Sequence, residues 1–297
     1  MEERAEALGF AALKRAATAM SDAYRDGGAA RLNAAERTAA YLAVRMPATY
    51  AAAHAALREV RARLGDTPVV SVLDVGAGTG AASLAAREIW GPSTNITMIE
   101  RDGAFTEAAR QWLPDGRVLA DDLARLESLP PHDLVVAAYT AGELARPVAQ
   151  LLWNAARVAL VVIEPGTPRG YALVLRIRNE LLASGACMLA PCPAATACPL
   201  APPDWCHFGA RVERSSLHRR IKDGELGYED EKFSYVALAR AAAPLPPARI
   251  IRRPAHSPGL IELRICTPEG TRTRHVARRN REAYRAARHA AWGDALS

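Results

Sequence analysis

The spacing of apolar positions along this chain changes character several times. Over residues 1–66 it is helical in an Ala-rich background, with Leu42, Met46 and Tyr50 four apart, and this predicts a helical N-terminal segment. Asn33, with Glu36 three residues on, makes a capping-box pair for a helix opening AAERTAAYLAV, and Pro47 is expected to end or kink it. Such a segment reads as a helical cover, with a substrate-side lid as the functional alternative. From residue 69 short apolar runs alternate with helical stretches. Strands are expected at 69–75, 95–100, 117–120, 133–139 and 158–164, and helices at 79–90, 103–112 and 142–156. That β-α-β-α order predicts an α/β fold, a parallel sheet with helices on both faces. The runs VVSVLDV and VALVVIE are apolar almost throughout, as in strands covered on both sides.

Beyond residue 170 the pattern loosens. A helix at 171–183 precedes a Cys- and Pro-rich stretch at 186–209 with little periodicity, and KFSYVALAR at 232–240 alternates like a strand. Pro244, Pro246 and Pro247 mark a linker. Residues 260–266 and 271–277 form a predicted hairpin whose turn holds Pro268 and Gly270, and an Arg-rich helix is expected to close the chain. No internal repeat is present. The chain thus divides into a helical N-terminal segment (1–66), an α/β core (67–185), a Cys-rich segment with a strand (186–240), and a basic hairpin and helix (241–297).

Half of the 297 residues are hydrophobic, enough for a full core. No apolar run approaches the roughly 18–20 residues of a membrane span. Three Glu among the first six residues suit neither a secretory signal nor a transit peptide, so a soluble, cytoplasmic protein is expected, with a monomer favoured. The net charge of +6 comes from arginine, since Lys14, Lys222 and Lys232 are the only lysines. From Arg240 onward twelve Arg face four acids. Forked guanidinium donors suit phosphate, so this concentration points to a polyanion partner; arginines that are merely solvated are the plain alternative.

The segment Leu73-Asp74-Val75-Gly76-Ala77-Gly78-Thr79-Gly80 lies where the first strand turns into a helix. Gly76, Gly78 and Gly80 allow a tight bend and a close approach of backbone to ligand, and helix N–H groups point into that space. Gly76-x-Gly78-x-x-Ala81 would also satisfy a dinucleotide fingerprint. Asp74, however, would face the pyrophosphate of NAD, whereas it could serve the cationic aminoacyl end of S-adenosyl-L-methionine (SAM). Glu100 ends the next strand, where a carboxylate accepts both ribose hydroxyls, although NAD sites use such an acid too. Asp121 or Asp122 follows the third strand, a common place for an adenine contact. A Rossmann-like sheet with a vacant pocket is the competing reading.

The five cysteines are Cys187, Cys192, Cys198, Cys206 and Cys266. A reducing cytosol disfavours disulfides, and four of the five within twenty residues point to metal or redox chemistry. Cys192, Cys198 and Cys206 need a fourth ligand for tetrahedral zinc or an iron–sulfur cluster; Cys266, His207 and Cys187 are the candidates. Buried, unligated thiols are the structural alternative.

Further strings stand out: Glu164-Pro-Gly-Thr-Pro-Arg-Gly170, Ala190-Pro-Cys-Pro193, Cys198-Pro-Leu200, Asp204-Trp-Cys-His-Phe208 and Tyr228-Glu-Asp-Glu-Lys-Phe-Ser-Tyr235, joined by Arg45-Met-Pro-Ala-Thr-Tyr50 and Val72-Leu-Asp-Val-Gly-Ala-Gly78. Together they resemble the Rsm22 family of ribosomal small-subunit methyltransferase-like proteins. The likeness runs from about residue 40 to the end. It implies a Rossmann-like class I SAM methyltransferase core, a role at the small ribosomal subunit or its rRNA, and a four-cysteine 4Fe–4S cluster, with zinc as the alternative. On that pattern Cys192, Cys198 and Cys206 are the clustered ligands and Cys266 the distant fourth, while Cys187 has no place. Ala194 stands where the family often has His.

The substrate side is less explicit. An RNA-base N-methyltransferase often carries an Asn-Pro-Pro-Tyr type motif after the fourth strand; here that place reads Ala137-Ala138-Tyr139-Thr140-Ala141-Gly142-Glu143. Tyr139 and Glu143 are candidate substrate contacts, with capping of the next helix the preferred reading. No catalytic residue is assigned. Two functions follow: an rRNA methyltransferase, or a non-catalytic small-subunit assembly factor that binds rRNA.

Overall fold

The computed structural model describes residues 8–26, 30–200, 202–222 and 224–296; residues 1–7 and 27–29 of the expected helical segment lie outside the described residues. The N-terminal helices are α1 (Phe10–Asp26), α2 (Ala34–Ala40) and α3 (Met46–Leu64), with a π-helical turn at Tyr41–Arg45 between the last two. The capping box forms as expected: Glu36 N donates to Asn33 at 2.9 Å and Asn33 N to Glu36 at 3.1 Å. Pro47 does not end the helical run. It sits in the first turn of α3, and the π turn immediately before it loosens the ladder where the proline ring and missing N–H would conflict with the preceding turn.

The central sheet carries β1 (Ser71–Val75), β2 (Asn95–Ile99), β3 (Arg117–Leu119), β4 (His132–Ala138) and β5 (Ala156–Pro165), interleaved with α4 (Ala81–Trp90), α5 (Gly103–Trp112) and α6 (Ala149–Ala155). Then come α7 (Pro168–Ala183), β6 (Cys187–Ala190), β7 (Phe208–Glu213), α8 (Ser216–Ile221) and β8 (Tyr228–Ala239). The strand order is β3-β2-β1-β4-β5-β8-β6, with β7 also paired to β8. Strands β1 to β5 are parallel, and β8 runs antiparallel to β5, β6 and β7. Alternate residues serve opposite faces. Val72, Leu134, Val136, Val161 and Ile163 pack with α3 and α4, while Leu73, Val75, Val135, Leu160 and Val162 pack with α6 and α7. Cover on both faces is why these strands are apolar along their whole length.

A second sheet holds β9 (Ala248–Ile250), β10 (Ala255–Ser257), β11 (Leu260–Thr267), β12 (Gly270–Ala277) and β13 (Ala295–Leu296), with α9 (Arg281–Ala287) against it. The expected hairpin is β11–β12.

Two expectations need correction. The helix at 142–156 is a short 3-10 turn, Ala141–Glu143, followed only later by α6. Pro147 lacks an N–H and disfavours helical backbone at Arg146, so a continuous helix cannot form. The Arg-rich helix does not close the chain either: α9 is seven residues long, and β13 follows it onto β9. Glu164-Pro-Gly-Thr-Pro-Arg-Gly170 makes the bend from β5 into α7. A Cβ on Gly170 would lie 2.1 Å from the Pro165 carbonyl oxygen, and one on Gly166 2.7 Å from the Lys232 carbonyl carbon. Thr167 caps α7, accepting from Gly170 N at 3.1 Å.

Candidate functional site

At the carboxyl end of β1 the chain makes a bare bend. Gly76, Gly78 and Gly80 all have left-handed φ, at 68, 56 and 85°, which glycine adopts without strain. A Cβ on Gly76 would lie 2.3 Å from Thr140 Cγ2, whereas beside Gly78 the nearest atom is the Tyr41 hydroxyl at 3.5 Å. Glu100 reaches into this bend: one carboxylate oxygen accepts from Gly78 N at 2.9 Å and the other from Asp102 N at 2.8 Å. Each oxygen keeps a lone pair for a further donor.

Asp74 lies at the same strand end but turns inward. It is 1% exposed and accepts from Ser83 N at 3.0 Å and Ser83 Oγ at 2.7 Å, which fixes the first turn of α4. Burial pushes its carboxyl up to about 6 despite these bonds. Asp122 accepts from Ala124 N at 3.0 Å and stands 3.7 Å from Arg101, the residue after Glu100; Asp121 is exposed. The structure therefore gathers Asp74, Gly76, Gly78, Gly80 and Glu100 at one bend, with Asp122 beside it.

After β4, Tyr139 adopts φ 59°, a rare conformation for a bulky side chain. Its hydroxyl donates to Glu231 at 2.9 Å, and the Arg45 guanidinium lies 5.5 Å from its ring and 3.4 Å from Glu231. Neither Tyr139 nor Glu143 caps a helix: the 3-10 turn and α6 both begin without a side-chain cap. The capping expectation fails because Pro147 delays the helix and Glu231 draws the tyrosine away. Glu164 is buried beneath this turn, accepts from Gly142 N at 3.0 Å, and is raised by burial to about 7.

These two buried acids set a pH dependence. Each binds its proton more tightly folded than unfolded, so their contribution is greatest below the ordinary carboxylate range near pH 4 and declines as pH rises to about 6–7. Asp74→Asn keeps an acceptor for Ser83 and removes one titration. In urea unfolding, the stability of this variant relative to the parent is expected to rise between pH 4 and 7 by on the order of 2–3 kcal/mol. A difference that does not change with pH would show that Asp74 titrates normally.

Cys192, Cys198, Cys206 and Cys266 line a single cavity of about 50 Å³, bordered by Tyr171, Arg178 and Arg249. Burial and the neighbouring thiols push Cys206 well above the ordinary thiol range and Cys266 up to about 12. Thiols so placed stay protonated unless a cation joins them. Tyr171 Oη is 3.1 Å from Cys198 Sγ. Arg178 donates to the carbonyls of Ala194 and Thr196 at 3.1 and 2.6 Å, so Ala194 helps hold the loop through its backbone. Cys187, on β6, does not line the cavity, and His207 lies between the rings of Trp205 and Trp292 at 5.1 and 5.0 Å. Among the described residues, no group of three His, Cys, Asp or Glu has the spacing of a metal-ion site.

Of the twelve C-terminal arginines, Arg272, Arg274, Arg278, Arg279, Arg281, Arg285 and Arg288 are exposed on β12, on α9 and its C-cap, and on the turn between β12 and α9. Arg240, Arg249, Arg252, Arg253 and Arg264 bind backbone or side-chain oxygens within the chain. No described helix is long and apolar enough to cross a membrane.

Sequence reasoning missed Tyr41, Ser83 and Thr140. Helical spacing gave Tyr41 no distinction from its neighbours; Ser83, nine residues after Asp74, carried a weak capping signal.

The strand order, with an antiparallel strand inserted between β5 and β6 and a glycine bend after β1, is that of class I SAM-dependent methyltransferases. The chain belongs to the Rsm22 family, described as mitochondrial small ribosomal subunit Rsm22, whose pattern matches residues 35–297. It is 29% identical over 289 residues to the human mitochondrial ribosome assembly protein METTL17, an alignment covering 86% of this chain. The chain spans 61% of that relative's length. Among solved structures it resembles the plantazolicin methyltransferase BpumL in complex with a triazolic desmethyl analogue and SAH, with a TM-score of 0.49, 8% identity and coverage of 78% of this chain and 98% of the other. A SAM-dependent methyltransferase from Aquifex aeolicus gives a TM-score of 0.41, 18% identity and coverage of 67% and 95%.

Proposed function

We propose that this protein is a SAM-binding assembly factor of the small ribosomal subunit, binding rRNA in the cytoplasm as a monomer. The observation that carries this reading is the state of the segment after β4. Where a base-methylating enzyme presents its substrate motif, Tyr139 is tied to Glu231 and Arg45, and Thr140 fills the space over Gly76. The cofactor bend beside it is nonetheless open at Gly78 and furnished with Glu100. The relative's description as a ribosome assembly protein supports the same role. Seven exposed arginines on the second sheet and α9 provide the phosphate-binding face.

Cys192, Cys198, Cys206 and Cys266 would hold a 4Fe–4S cluster, or a zinc ion in its place. Three of these lie in the loop at 192–206 and the fourth on β11, so the bound group supplies a cross-link between the central sheet and the basic sheet. Arg178 and Arg249 would offset the negative charge of four thiolates.

Methyl transfer is the second reading, favoured by the intact bend and Glu100, which a purely structural factor does not need. Tritiated SAM, the purified protein and small-subunit particles from cells lacking the gene discriminate between the two. Measurable SAM binding with no label in rRNA is expected; label in rRNA would establish the enzyme. Protein purified without oxygen is expected to be brown and to contain iron and sulfide in equal amounts. A colourless protein holding one zinc would replace the cluster with the metal ion.

A further inference from the structure

The N-terminal helices meet the glycine bend through one side chain. Tyr41 opens the π turn, and its Oη and Cζ lie 3.5 and 3.8 Å from where a Gly78 Cβ would be. A ligand crossing the bare glycine would therefore border the Tyr41 hydroxyl. That hydroxyl is hydrogen-bonded with Thr49 and feels the charges of Arg45, Glu143 and Glu100. The two acids, Glu143 and Glu100, suit the ammonium and sulfonium in the methionine half of SAM. The segment is also anchored to loops of the cofactor site: Arg37 pairs with Asp102, two residues past Glu100, and the Tyr41 ring packs on Phe105 at 4.9 Å. π turns recur at functional sites because the extra residue redirects side chains. Here it lets Tyr41 face the bend while Arg45, at its other end, faces Tyr139 and Glu231.

We propose that Tyr41 is a cofactor-contacting residue and that the segment 34–46 forms one wall of the SAM site, its docking and SAM binding stabilising each other. This rests on the SAM reading above. Coupling of this kind is reciprocal: what the ligand adds to docking, docking adds to affinity.

Two measurements on the full chain test it. Hydrogen exchange of the parent protein, with and without saturating SAH, should show amides of 34–46 protected by about tenfold more in the complex, within the usual range of coupling. In calorimetry, Tyr41→Ala should weaken SAH by about tenfold and Tyr41→Phe by a smaller factor, because the ring remains. Unchanged exchange over 34–46, together with Tyr41→Ala affinity within about twofold of the parent, would overturn the proposal while leaving the cofactor in place. If the parent itself gives no heat with SAH, the SAM reading falls and this one with it. Should Tyr41→Ala fail to fold, the exchange measurement on the parent still decides.

Discussion

Gly78→Arg is expected to abolish binding of both SAM and SAH, with no calorimetric heat where the parent chain titrates. Gly78 has φ 56° and open space beyond its Cα as far as the Tyr41 hydroxyl. Any L side chain there pays roughly 1–2 kcal/mol of backbone strain, a cost the fold can absorb. The arginine side chain adds more: its bulk occupies the cofactor's path, and its charge repels the sulfonium. A loss of at least about a hundredfold, near 3 kcal/mol, follows. Gly78→Ala, with the strain but little bulk, should lose far less. Circular dichroism would confirm that both variants are folded. Parent-like affinity in Gly78→Arg would place the cofactor somewhere other than this bend.

Arg249→Ala is expected to destabilise the protein by about 3–5 kcal/mol, the range for breaking a buried ion pair from one side. Arg249 is 2% exposed on its side chain and joins three parts of the molecule. Nε donates to Pro191 O at 2.6 Å, Nη1 to Gly293 O at 2.8 Å, and Nη2 to Glu59 at 2.6 Å. Removing it leaves two carbonyls without this donor and leaves Glu59 with only Arg63, 2.8 Å away. Burial pushes the Glu59 carboxyl up, and Arg249 with Arg63 more than reverses it, so the variant should also take up a proton at higher pH. Urea unfolding monitored at the tryptophans measures the loss. A change under about 1 kcal/mol would mean that water replaces the guanidinium with little penalty.

The sequence announced the parts of the site made by backbone. Glycines at 76, 78 and 80 after an apolar strand mean a bare bend in any context, and Glu100 follows from the next strand's end. The cysteine cluster was equally visible, and Cys192, Cys198, Cys206 and Cys266 line one cavity. What the sequence did not announce depends on packing. Asp74 looked like a ligand contact, and the fold gives it two hydrogen bonds from Ser83. Tyr41 is one residue in a helical pattern until the fold sets it on Gly78. Strand β6 is four residues long and buried from Met188 on, too short for alternation to distinguish it from a loop. Strand β7 does alternate, in FGARVE, but the Cys-Pro stretch before it obscured its start.

The acids of β8 have one more consequence. Glu229 holds Arg214 and Lys222, Asp230 holds Arg211 and Arg253, and Glu231 holds Arg45. Three adjacent residues thus fasten the β7–β8 connection, the chain after β9 and the N-terminal helices. Arg45 and Glu231 are 186 positions apart, and α3 also packs on β7 and β8. On a ribosome, the earliest helices emerge long before the strand they rest on has been made. They must wait, exposed or shielded by other proteins, until the 186 positions from Arg45 to Glu231 have been added, so these helices find their resting place late.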